Sequence, residues 1–175
     1  MIQSKLKAAI RDIPDFPKPG ILFKDITPIL KDAGLCLDIV EAFAYELKDV
    51  EIDVIAGIES RGFLFGLMLA NKLKVPFVPI RKQGKLPFNK IQQPCELEYG
   101  SAILELHEDA ILPGQKVLIH DDLLATGGTV NAATRLIQQL SGEIAGYAFV
   151  ISLDFLKGKE ALKLQSPNII SLVSF

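Results

Sequence analysis

The sequence predicts an α/β protein: one domain built on a central, mainly parallel sheet with helices on both faces. Three observations carry that prediction. Short apolar runs rich in Val, Ile and Leu, the pattern of strands buried on both faces, recur at 54–58, 75–80, 117–120, 147–153 and 169–175. Segments with helical periodicity lie between most of them, so strand and helix alternate along the chain. The 175 residues suit a single domain spanning 1–175, and 49% hydrophobic against 23% charged residues supply a buried core.

Each element follows from local chemistry. Residues 3–11 read as a helix that stops ahead of Pro14. Residues 13–21 are extended, because proline disfavours helix at its own position and at the one before it. Residues 35–47 form an amphipathic helix, with Leu35, Ile39, Phe43 and Leu47 at every fourth position. A strand at 54–58 leads into a turn at 59–62 and a helix at 63–72. The strand at 75–80 contains Pro76 and Pro79, which limit its ladder bonding, so it is expected to be an edge or bent. Residues 83–98, with a glycine, two prolines and several amides, read as a long mobile loop. Ala102, Leu104 and Leu106 alternate along a strand at 101–107. The strand at 117–120 precedes a helix that runs to about Leu140. A strand at 147–153, a short helix near 156–164 and a strand at 169–175 complete the chain. No internal repeat, linker or low-complexity segment interrupts it.

Composition narrows the function classes. A net charge of −2 gives no reason to expect nucleic acid or an anionic membrane as partner. An anionic substrate would need local basic residues, and Arg61, Arg81, Lys82 and Lys85 supply them. The two cysteines, Cys36 and Cys95, lie far apart, and the two histidines are scattered, which argues against a structural zinc site. The N-terminus carries charges throughout and lacks an apolar signal core. No uncharged stretch approaches the ~20 residues needed to span a bilayer. A soluble, reduced, cytoplasmic protein is expected.

The most informative segment is VLIHDDLLATGGT, from Val117 to Thr129. An apolar run enters it as a buried strand, which is expected to end at the adjacent acids Asp121 and Asp122. A small-residue turn follows, Ala125, Thr126, Gly127, Gly128 and Thr129, and then a helix. A glycine turn at a helix start presents unpaired backbone N–H groups and the positive end of the helix dipole, which suits a phosphate. The acids cannot bind that phosphate and must serve something beside it, such as sugar hydroxyls or a metal ion. An Asp or Thr at such a junction is often only a cap, but two acids ahead of ATGGT are far more specific. Neither G-x-x-x-x-G-K-[ST] nor G-x-G-x-x-G occurs in the chain. In a doubly wound sheet ligands sit at the carboxyl ends of strands, where residues 59–62, 81–85 and 121–129 all fall.

This segment resembles the phosphoribosyl-pyrophosphate (PRPP) motif of type I phosphoribosyltransferases. Three further stretches, FPKPGILFKDITPIL, IAGIESRGFLFG and IRKQGKLP with CELEYG, narrow the resemblance to the adenine-specific branch of that family. They follow in the family's order and cover nearly the whole chain. The resemblance implies the type I phosphoribosyltransferase fold, with a small hood from about residues 1–34 and a mobile loop. It implies transfer of a phosphoribosyl group from PRPP to adenine, giving AMP and pyrophosphate, in purine salvage.

The same resemblance assigns residues. Ala125, Thr126, Gly127, Gly128 and Thr129 hold the phosphate, and Asp121 and Asp122 accept hydrogen bonds from the ribose hydroxyls and stabilise its developing charge. Glu59, Ser60 and Arg61 form the pyrophosphate loop, joined by Arg81, Lys82 and Lys85, some of them across a homodimer interface. Glu98 is the candidate acid/base near the purine imidazole, with Tyr99 beside it at the loop's end. Leu22, Phe23 and Lys24 cover adenine: Leu22 and Lys24 read its edge through backbone groups and Phe23 stacks on its face. Mg²⁺ comes with PRPP, held mainly by substrate oxygens and water with no direct protein ligand. His120 departs from the family's aliphatic residue and reads as a core side chain. A 6-oxopurine or orotate phosphoribosyltransferase shares the ATGGT site but lacks the FPKPGILFKDITP block. A non-catalytic PRPP-sensing regulator is a further alternative, disfavoured by Glu98 and the basic segment.

Overall fold

The computed structural model describes residues 1–97 and 100–175, with the side chain of Leu97 left aside. The chain opens with helix α1 (Ile2–Ala9), followed by strands β1 (Arg11–Pro14) and β2 (Leu22–Asp25), which pair antiparallel as a separate small sheet. This is the hood. Between its strands the chain turns through Asp15 at positive φ, whose carboxylate accepts from Gly20 N–H at 2.7 Å. Helix α2 (Ala33–Glu46) is capped by Asp32, which accepts from Leu35 N–H at 2.9 Å, and buries Leu35, Ile39, Val40 and Phe43.

The main sheet alternates as predicted: β3 (Val54–Ile58), α3 (Gly62–Leu73), β4 (Phe77–Lys82), a hairpin β5 (Lys90–Leu97) and β6 (Gly100–His107), then β7 (Lys116–Leu124), α4 (Gly128–Gln139), β8 (Glu143–Ser152), α5 (Gly158–Leu162) and β9 (Ile169–Ser174). The seven strands run in the order β5-β6-β4-β3-β7-β8-β9. Strands β4, β3, β7, β8 and β9 are mutually parallel, and β6 and β5 add antiparallel on the β4 side. Every residue of β3 is buried, as expected of a central strand covered on both faces. One core, with Phe43, Phe65 and Ile39, lies between the sheet and helices α1, α2 and α3. The other, with Tyr147, Phe149, Leu136 and Leu162, lies under α4 and α5.

Three expectations are corrected. The strand expected at 75–80 as an edge or bent spans Phe77–Lys82 and is not an edge, lying between β6 and β3. The carbonyls of Pro76 and Ile80 accept from Ile55 and Glu59 on the β3 side, so Pro79 faces the other way, where the β6 ladder begins only at Arg81. Residues 83–98 are not one loop either: 90–97 form β5. Pro94 pairs with Ile103, whose carbonyl is given to Gln83 N–H instead (2.9 Å), so the register asks no donor of Pro94 on this edge strand. Residues 83–86 are tied down by Glu105, a buried carboxylate accepting from Gly84 N–H at 3.1 Å and Gln92 Nε2 at 2.8 Å. Finally, β7 does not end at its acids but continues to Leu124, paired with β8 through Leu124–Ser152.

Candidate active site

Continuation of β7 sends the two acids to opposite faces. Asp122 is 2% exposed and Asp121 is half-buried, and both border the cavity. Asp121 Oδ1 accepts from Asp122 N–H at 2.8 Å, and Asp122 Oδ2 lies 2.9 Å from Arg61 Nε, an ion pair without an aligned hydrogen bond. Burial and the neighbouring Asp122 charge hold the Asp121 carboxyl well above the usual carboxylate range. Burial also raises Asp122, with the Arg61 guanidinium pulling the other way.

Beyond Leu124 the chain makes the turn to α4. Gly127 has φ +89 and brings no side chain to cap the helix, and the first residues of α4, Gly128, Thr129 and Val130, line the cavity. Thr126 is exposed and Thr129 half-buried. The cavity, of about 390 Å³, is lined by Arg61, Asp121, Asp122 and the whole turn from Ala125 to Thr129. Leu123 and Glu96 also line it. Neither was singled out by sequence. Leu123 had no signal beyond apolarity, and Glu96 reaches the site only because the hairpin packs on α4.

The loop after β3 lies directly against this strand. A Cβ on Gly62 would stand 2.8 Å from the His120 carbonyl oxygen and 3.0 Å from Asp121 Oδ1. Close approach, rather than the tightness of the turn, therefore demands glycine here. Glu59 and Ser60, joined by a cis peptide, precede Arg61 but do not border the cavity. Glu59 instead receives Arg81 Nε at 3.2 Å and Lys82 N–H at 2.9 Å. Burial would raise its carboxyl, but these partners hold it below the ordinary value. Arg81 also donates to the Lys85 carbonyl at 3.1 Å. Lys82 and Lys85 are exposed and stand off the cavity wall. The predicted pyrophosphate group is thus divided: Arg61 is at the cavity, while Glu59, Arg81, Lys82 and Lys85 form a neighbouring charged cluster.

The hood reaches the site through Phe23. Arg61 Cζ lies 5.1 Å from the Phe23 ring centroid, and Phe16 packs edge-on to Phe23 at 5.2 Å. Leu22 is 49% exposed. Lys24 is buried, its Nζ donating to Asp12 at 2.7 Å and lying 3.9 Å from the Phe175 ring centroid. Its side chain is committed to these partners. His120 is fully buried, packs edge-on to Phe43 at 5.4 Å, and has neither ring nitrogen hydrogen-bonded. Burial pushes its pKa down to about 4. Glu98 and Tyr99 lie outside the described residues.

Among the described residues no group of three or more His, Cys, Asp or Glu side chains is placed to hold a metal ion, and no helix is long and apolar enough to cross a membrane. Cys36 and Cys95 are free thiols.

Comparison with known proteins gives this arrangement a family. Residues 28–168 match the phosphoribosyl transferase domain. The chain is 49% identical over 175 residues to the adenine phosphoribosyltransferase of Cytophaga hutchinsonii, covering 100% of this chain and 97% of that one. Its fold superposes on the adenine phosphoribosyltransferase of Thermoanaerobacter pseudethanolicus with a TM-score of 0.94 at 50% identity, covering 99% of each chain. The enzyme of Saccharomyces cerevisiae, solved with adenine and an imino-altritol bisphosphate, matches at 0.91 and 44% identity, covering 98% of each chain. The chain belongs to the phosphoribosyltransferase family, within the group of the adenine phosphoribosyltransferases.

Proposed function

We propose that this protein transfers the phosphoribosyl group of PRPP to adenine, giving AMP and pyrophosphate, the step that salvages the free base. The observation that carries the reading is the single cavity in which the α4 turn, the Asp121–Asp122 pair and Arg61 meet, with Phe23 of the hood against Arg61. The turn supplies free N–H groups for the 5′-phosphate. A bond forms from the adenine imidazole nitrogen to the anomeric carbon while the bond to pyrophosphate breaks, with inversion. The ribose becomes oxocarbenium-like, and the half-buried Asp121 beside buried Asp122 places negative charge where the positive charge develops. A rise in their pKa at rest fits this role, because a cationic ribose restores the ionised form. Arg61 is the group at the cavity suited to the leaving pyrophosphate, and Glu98 is the candidate to take the imidazole proton.

Mg²⁺ fits this donor set as an ion held chiefly by substrate oxygens and water, with the Asp121 and Asp122 carboxylates close by. It would neutralise the charge of the pyrophosphate as that group departs. We further propose that the chain acts in the cytoplasm as a homodimer. Leu64 and Leu67 are 41% and 50% exposed on α3 next to the Arg61 loop, an apolar patch that a second copy would cover. Sedimentation of the purified protein at micromolar concentration tests this, a monomer being the contrary result.

The activity is tested by offering PRPP and Mg²⁺ with adenine, hypoxanthine, guanine or orotate and following pyrophosphate release. Release with adenine preferred is expected. Equal or faster release with hypoxanthine or guanine would assign a 6-oxopurine enzyme, and PRPP binding without release from any base would assign a regulator.

A further inference from the structure

We propose that Gly158 is a positioning residue for this reaction, setting the phosphate turn by direct backbone contact from beneath. The proposal rests on the reading of residues 125–129 as the phosphate cradle. Gly158 is the buried first residue of α5, far from the turn in sequence. A methyl group built on it would stand 2.2 Å from the Ala125 carbonyl oxygen and 3.0 Å from Leu124 Cγ and Cδ1. The nearer contact is to backbone, so no side-chain rotation relieves it. From the other side, a Cβ on Gly127 would lie 3.4 Å from the Gly158 carbonyl oxygen and 3.7 Å from Ala161 Cβ. The turn therefore rests on the start of α5, glycine against glycine. The short helix is itself held by Leu162, fully buried in the core under α4.

Such a contact matters because the cradle works through the directions of its N–H groups. Hydrogen bonds weaken steeply with misalignment. Any side chain at 158 must push the Ala125 carbonyl, and with it the peptide groups leading to Gly127 and Gly128, or lift α5 away. The first outcome moves the donors; the second removes their floor. Both affect ligands that carry the phosphate and spare those that lack it.

The test compares AMP with adenosine, which differs only by the phosphate, by titration calorimetry, alongside steady-state kinetics and thermal melts. The wild-type protein is expected to bind AMP more tightly than adenosine. Gly158→Ala is expected to weaken AMP binding and raise the KM for PRPP on the order of tenfold, while adenosine affinity and the KM for adenine hold. A wild type that binds AMP and adenosine alike would overturn the cradle reading itself. A folded Gly158→Ala that keeps the wild-type preference for AMP, or loses both ligands equally, overturns the positioning role alone. Should Gly158→Ala not fold, Leu162→Val keeps the glycine but loosens the anchor of α5. It is expected to reduce the same preference by a smaller factor, and an unchanged preference there overturns the proposal.

Discussion

Arg61 Nε stands 2.9 Å from Asp122 Oδ2, while the same guanidinium lies 5.1 Å from the Phe23 ring centroid. One side chain thus ties the hood, the loop after β3 and the acidic strand together. Asp122 is 2% exposed, so its carboxylate depends on that cation, whereas Arg61 itself reaches solvent.

Arg61→Ala is therefore expected to lower stability by about 1–3 kcal/mol, the cost of leaving a buried acceptor without its partner. It is also expected to raise the KM for adenine, because Phe23 loses the plane it rests on. Arg61→Lys restores charge but not planar stacking. It should recover the melting temperature more fully than the adenine KM. Equal recovery of both would sink the stacking half of the argument.

Asp122→Asn keeps the shape of the side chain and removes the charge. That charge is needed most when the ribose becomes cationic, so turnover is expected to fall on the order of 10²-fold. AMP affinity should change far less, since the product sugar is neutral. Rapid-quench turnover and AMP titration separate the two effects. A turnover number equal to wild type would remove the acid pair from the mechanism.

How much of this was legible in the sequence differs from part to part. The alternation of strand and helix in the main sheet and the Asp121–Asp122–turn unit were legible because each is written in contiguous residues, whereas strands β1 and β2 flank a stretch expected to be extended over 13–21, which instead turns at Asp15 and Gly20. The continuation of β7 beyond its acids was not, because side-chain polarity hides a backbone ladder. Leu123 and Leu124 were its trace. The hairpin strand was hidden by Pro94, Gln92 and Gln93, which suit a loop but also suit an exposed edge whose proline owes no donor. The Arg61–Asp122 and Arg81–Glu59 pairs join the loop after β3 to β7 and to β4, and no local pattern reports which partner a long basic side chain finds. Gly158 fell inside the short helix expected near 156–164, and nothing local reports its contact with the turn.

His120 makes stability depend on pH. Its pKa falls from 6.5 to about 4 on folding because the imidazole is desolvated. The unfolded chain therefore takes up a proton first as pH drops. This contribution is fully present above about pH 6.5, is lost progressively down to about 4, and amounts to about 3 kcal/mol. His120→Val removes the titration and two unpaired buried nitrogens. Its melting temperature should fall less steeply than that of wild type between these pH values. Parallel pH profiles for the two proteins would show that the ring is not the sensor.

The hairpin yields the last prediction. Residues 90–95 pair with β6 from Lys90–His107 to Cys95–Ala102. At its far end the Glu96 carbonyl oxygen lies 2.2 Å from where a Cβ on Gly128 would stand, so the strand is seated on the start of α4. Cys95, 2% exposed, anchors it in the core under the same helix. Deleting residues 89–93 would therefore remove ladder rungs and the Gln92 bond to buried Glu105, not a slack loop. The deletion is expected to lower the melting temperature by several degrees, since each 1 kcal/mol lost is worth about 2–4 °C in a chain of this size. Turnover should fall with it, because Glu96 would leave the cavity wall. In the intact protein, amide exchange over 90–96 should be slower than over 83–89 wherever the β5 N–H groups face β6. A deletion variant with wild-type melting and turnover, or uniformly fast exchange through β5, would show the segment to be undocked in solution.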